Sequence, residues 1–154
     1  MKHLCPDAAK GGDCASLKVT RLRAISVYMI NDTFGFFFSL CTNVTSNSLA
    51  HWWIEIETED PDVWYCAQFR KKDGYYTLML QKCLSKEKVT QEGQKGGRRF
   101  GQSPSMSLEC SITPIDDLNI GQIYDFMLDS CDDKYDLIKN NCQHFSKKFM
   151  KWAK

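Results

Sequence analysis

The run NNCQHF places Cys142 between a pair of asparagines and an amphipathic segment, FSKKFMKW. Asn140 or Asn141 is suited to cap a helix there, which puts Cys142 in its first turn. The unpaired amides and the positive end of the helix dipole favour an anion at that place, and a thiolate is such an anion. Helix N-termini and nearby imidazolium draw a cysteine pKa from ~8.5 down to between ~3.5 and ~7.5. The position suits a nucleophile. Phe145, Phe149 and Trp152 form the buried stripe of the same helix, however, so an inert packing thiol is the competing reading.

A thiol nucleophile needs an imidazole to take its proton and pass it to the leaving group. The chain has three histidines. His3 lies in a small, polar leader. His144 follows Cys142 by two residues, about 200° around the helix, and points elsewhere. His51 heads the strand HWWIEIET, which sets Trp52, Ile54 and Ile56 on one face and His51, Trp53, Glu55 and Glu57 on the other. A strand histidine packed against a helix N-terminus reproduces the Cys–His pair of papain-type enzymes in reversed chain order. If the following turn centres on Asp60-Pro61, strand positions adding to about 119 pair across, which puts Gln68 opposite His51. A glutamine carbonyl there would hold the imidazole tautomer, as the orienting residue of a catalytic triad does. A slip of two residues makes Cys66 the rival.

HWWIEI followed some ninety residues later by NNCQHF resembles the permuted papain-like thiol enzymes. These include the lecithin:retinol acyltransferase-like proteins, the NlpC-type peptidases and the PPPDE isopeptidases. The resemblance covers about 51–152, and NNCQHF is its more specific string. It implies Cys142 as nucleophile and His51 as base, with Asn141, Gln143, His144 and Phe145 in supporting positions. The family usually carries a second polar residue, often histidine, about twelve residues after the first; Val63 occupies that place here.

Elements that would position these residues are legible to different degrees. Residues 1–16 read as a flexible leader and 17–154 as one domain. KVTRLRAISVYMI and TFGFFFSL read as two strands. HWWIEIET, VWYCAQFR and YYTLMLQKC read as an antiparallel meander, with Asp73-Gly74 as a hairpin signal. The polar stretch 85–107 reads as a mobile loop, and LECSI as a short strand. Asn119 with Gln122 forms a capping-box pattern ahead of a helix bearing Ile120, Ile123, Tyr124, Met127, Leu128 and Cys131. The expected class is α+β: a circularly permuted papain-like fold, with a small antiparallel sheet, packed helices and the nucleophile opening the last one.

Composition narrows the partners. Twenty basic and nineteen acidic residues in 154 leave a net charge of +1, which excludes the footprint of a nucleic-acid binder. Lys147, Lys148, Lys151 and Lys154 read as a solvated basic face that admits peripheral membrane contact. No apolar run is long enough to span a membrane, and the first residues lack a signal-peptide core. Eight widely spaced cysteines then read as reduced thiols of a cytoplasmic protein. Without C-x-x-C or a paired H-x(3–5)-H, no metal site is expected. The chemistry implied is cofactor-free acyl transfer or hydrolysis through a thioester, on an acyl-lipid substrate first. A peptide or isopeptide bond is the alternative, and an inactive binding module on the same fold the third reading.

Overall fold

A computed structural model describes residues 14–28, 50–72, 75–95, 106–130 and 141–154. Strand β2 (Ala50–Thr58) is buried on both faces: Trp52, Ile54 and Ile56 point one way, His51, Trp53 and Glu55 the other. Such a strand needs a layer on each side, and the chain supplies both. Strands β1 (Val19–Tyr28), β3 (Trp64–Lys72), β4 (Tyr75–Cys83) and β5 (Met106–Ile112) complete a five-stranded sheet in the order β4-β3-β2-β1-β5. Each pairing is antiparallel. Helices α1 (Lys86–Lys95), α2 (Ile120–Asp129) and α3 (Cys142–Trp152) pack around it, making an α+β domain.

The larger core lies on the Trp52 face. Ile54, Ile56, Tyr65, Ala67, Leu78 and Leu80 meet Phe145, Phe149 and Met150 of α3 there, with Ile120, Ile123 and Met127 of α2 closing the layer. Phe126 stacks on Trp152 with ring centroids 4.3 Å apart. Each large side chain buried in this way contributes about 1.5–3 kcal/mol. On the opposite face, Trp53, Trp64, Cys66 and Cys83 pack against Val89 of α1.

The expected meander is present as β2, β3 and β4, and the LECSI strand lies within β5. The capping box is complete: Gln122 N donates to Asn119 Oδ1 at 2.9 Å and Asn119 N to Gln122 Oε1 at 3.0 Å. Of the two strands expected between 17 and 40, β1 accounts for the first. TFGFFFSL and Asp73-Gly74 lie outside the described residues, as does the leader through residue 13. The leader's end docks: Gly121 N donates to Ala15 O and Ile120 N to Leu17 O.

Two expectations are corrected. The polar stretch read as a loop over 85–107 holds α1, while 96–105 lie outside the described residues. Ser85 starts the helix by accepting from Lys88 N at 3.2 Å, and Glu87 and Lys95 complement its dipole. Only Val89 and Gly93 are buried, too few apolar positions to show as a helical period.

The β2–β3 register is also offset by two, so Gln68 faces Trp53 and Cys66 faces Glu55. The turn decides this. Val63 N donates to Asp60 O, and the Thr58 hydroxyl bridges the Asp60 and Val63 carbonyls, which seats Glu57 opposite Trp64. Among the described residues, no helix is long and apolar enough to cross a membrane.

Candidate active site

Asn141 is the N-cap of α3. Its Oδ1 accepts from the amides of Gln143 at 3.0 Å and His144 at 3.1 Å. His144, exposed to solvent, turns its Nδ1 back to the same oxygen at 2.9 Å and so must donate there. These contacts put Asn141, Gln143 and His144 in the service of the helix start. They hold Cys142 in the first turn with its side chain facing inward, 4% exposed.

The Cys142 sulfur rests on the backbone of β2. The thiol donates to Ala50 O at 3.6 Å, and the amides of Trp52, Gln143 and Cys142 itself donate toward sulfur. Ala50 and Trp52 flank His51 in the chain, but the sulfur packs in the core of the Trp52 face, whereas the His51 ring lies on the Trp53 face of the same strand. Burial pushes the Cys142 pKa above the ordinary thiol value, and the three amides offset this only in part. This corrects the expectation of a helix-stabilised thiolate: desolvation outweighs the helix N-terminus, and the resting group is a neutral thiol.

His51, 2% exposed, lies on the Trp53 face and stacks on that indole with centroids 6.0 Å apart. Gln68, fully buried, brings Oε1 to within 3.0 Å of His51 Nε2. Its Nε2 donates to the Glu92 carbonyl of α1 at 3.1 Å. That second bond decides the first, because an amide whose nitrogen faces a carbonyl presents its oxygen to the ring. His51 Nε2 therefore carries a proton, and in the neutral imidazole Nδ1 is the basic nitrogen. Papain-type sites use a side-chain amide oxygen in the same role.

The structure thus joins His51 to Gln68, Asn141 to Gln143 and His144, and Cys142 to the backbone on either side of His51. Cys66, the rival orienter, is buried opposite Glu55. Sequence reasoning missed Glu92, whose contribution is a carbonyl and leaves no residue-type signal. It also missed Gly93, where an added Cβ would overlap the Trp53 indole; Val89 and Gly93 at i, i+4 were the available clue. No group of three or more His, Cys, Asp or Glu among the described residues is placed to hold a metal ion. Comparison with family models, curated proteins and solved structures finds no match to this chain.

Proposed function

We propose that this is a thiol enzyme of the permuted papain-like kind, forming a thioester between an acyl group and Cys142. The observation that carries the reading is the buried His51–Gln68 hydrogen bond, with the amide fixed from behind by Glu92. A strand histidine with a defined tautomer, preceding in the chain a cysteine at a helix start, is the arrangement that the resemblance implies.

Because the resting thiol is neutral, His51 acts as a general base. Its Nδ1 takes the Cys142 proton as sulfur adds to the carbonyl carbon. That transfer has to pass around the start of β2, because the resting ring lies on the Trp53 face and the sulfur on the Trp52 face. The carbonyl π pair moves to oxygen, where a backbone amide at the α3 N-terminus donates; one such donor is worth ~3–4 kcal/mol where measured. Collapse expels the alkoxide or amine, which takes the proton from His51. Water or an acceptor alcohol or amine then gives its proton to Nδ1 and attacks the thioester, releasing the Cys142 sulfur. Lipid esters are the first substrate class, by resemblance to the acyltransferase-like proteins.

A second reading has one observation in its favour. A buried thiol donating to Ala50 O is also how a packing cysteine in a non-catalytic module behaves. Incubation with a p-nitrophenyl acyl ester, followed by peptide mass spectrometry, separates the two. The enzyme reading expects an acyl adduct on Cys142, lost in Cys142→Ser and formed ~10²–10⁴-fold more slowly in His51→Ala. No adduct, or one indifferent to His51, overturns it. Turnover of a phospholipid ester against cleavage of an isopeptide-linked ubiquitin-like fusion then assigns the bond attacked.

A further inference from the structure

Glu55 is a buried carboxylate that the thiol chemistry does not use. It lies on the Trp53 face of β2 and is 3% exposed. Arg23 stands opposite it on β1 but gives its guanidinium to Glu57 instead, at 2.9 Å. Among the described residues, no cation pairs with Glu55. A charge buried in this way is costly unless hydrogen bonds compensate it. Two do so: Trp53 Nε1 donates to Glu55 Oε1 at 3.4 Å, and the Thr90 hydroxyl of α1 donates to the same oxygen at 2.7 Å.

The Thr90 bond ties a helix to the sheet. Its hydroxyl has two acceptors in reach, Glu55 Oε1 and, at 3.1 Å, the Lys86 carbonyl one turn back. A hydroxyl carries one proton, and the shorter contact runs to the ionised group, the stronger acceptor. Little else holds α1 at a fixed height. Val89 and Gly93 are its buried residues, and only Val89 brings a side chain to the core. A carboxylate suits the task because it only accepts; a glutamine amide could turn a donor toward Thr90 or Trp53.

Two residues after Thr90 comes the Glu92 carbonyl, which accepts from Gln68 Nε2 at 3.1 Å. Gln68 Oε1 in turn meets His51 Nε2 at 3.0 Å. Trp53, the other donor to Glu55, stacks on the His51 ring. Both donors therefore lead to one imidazole, the first through the indole and the second through the helix.

We infer that Glu55 and Thr90 are positioning residues for His51: their bond sets α1 where the Glu92 carbonyl holds the Gln68 amide, which keeps the ring proton on Nε2. The inference rests on the reading of His51 as the base of a thiol enzyme and adds the residues that prepare it. Both act through other groups.

Long-range proton–nitrogen correlation spectra of histidine-labelled protein, at a pH where the ring is neutral, read the tautomer directly. The parent should carry the His51 proton on Nε2. Thr90→Val removes the hydroxyl and keeps the branched shape. In this variant, checked for a native circular dichroism spectrum, the form protonated on Nδ1 should appear beside the first. Acylation of Cys142 by saturating p-nitrophenyl ester should slow about ten-fold, with the half-saturating ester concentration unchanged. Thr90→Ser restores the hydroxyl and should restore both readings. Should Thr90→Val not fold, Glu55→Gln carries the same test. A parent-like tautomer in the folded variant, whatever its urea midpoint, reduces the bond to a stabilising contact and overturns the inference. A parent ring protonated on Nδ1 overturns it too. The tautomer is read without turnover, so the two readings fail separately. Absence of an acyl adduct in the parent defeats the enzyme and leaves the positioning intact, whereas an adduct with an unmoved tautomer in Thr90→Val defeats the positioning alone.

Discussion

Gln68 faces Trp53 across the β2–β3 ladder but bonds to His51, two residues back along β2, with 3.0 Å between Gln68 Oε1 and His51 Nε2. Residues two apart on a strand share a face, so a long side chain opposite one reaches the other on the diagonal.

Gln68→Ala removes the acceptor at His51 Nε2 and the donor at the Glu92 carbonyl. Steady-state rates on an acyl ester should fall ~10–100-fold, the scale of losing a histidine's orienting partner, mainly in kcat. Gln68→Glu retains an acceptor and adds a negative charge, which favours imidazolium. The acid limb of its pH–rate profile should move to higher pH. An unmoved limb would show that Gln68 serves packing alone.

The raised Cys142 pKa has a kinetic and a thermodynamic signature. Alkylation by iodoacetamide should have its midpoint above that of an ordinary thiol, ~8.5. The native state also holds this proton more tightly than the unfolded chain does. Its contribution to stability is full below the unfolded value and is lost as pH rises through the folded one. Urea midpoints at pH ~7.5 and ~9.5 should therefore drop further for the parent protein than for Cys142→Ala. Equal drops, or alkylation with an ordinary midpoint, would contradict the burial effect.

Gly93→Ala tests the seating of α1. Alanine favours a helix by up to ~1 kcal/mol over glycine, yet its methyl would overlap the fully buried Trp53 ring. Overpacking of this kind costs ~1–3 kcal/mol, so a net loss of stability is expected in chemical denaturation. A more stable variant would show that α1 can shift freely.

Asn141 separates cap from charge. Asn141→Ala should destabilise the fold by ~0.5–2 kcal/mol. Asn141→Asp keeps a capping oxygen and should hold stability close to the parent's. It also sets a negative charge next to Cys142, which opposes thiolate formation, so alkylation at a given pH should slow. Faster alkylation in Asn141→Asp would reverse the electrostatic assignment.

The elements that proved legible were those whose periodicity or caps are written in residue types. Alternation in HWWIEIET, the Asn119–Gln122 box and the asparagine before Cys142 each name their structure locally. Helix α1 was not legible, because its docking rests on one valine and the absence of a side chain at Gly93. The β2–β3 register depended on hydrogen bonds of the Thr58 hydroxyl inside the turn, which no pattern of hydrophobicity reports. Gln68 was nevertheless the right glutamine to pair with His51, reached along the diagonal instead of straight across. The Cys142 proton was misjudged because a helix N-terminus is visible in sequence and the depth of burial around it is not.

Gly93 has one more effect. Where α1 meets Trp53, only a residue without Cβ can lie against the indole, and moving the helix by a full turn would offer a side chain instead. The helix is therefore indexed along its axis like a key cut for one notch. That axial setting fixes the height of the Glu92 carbonyl above the sheet, hence which end of the Gln68 amide turns toward the ring. The position of a single proton on His51 is thus set, two contacts away, by an atom that Gly93 does not have.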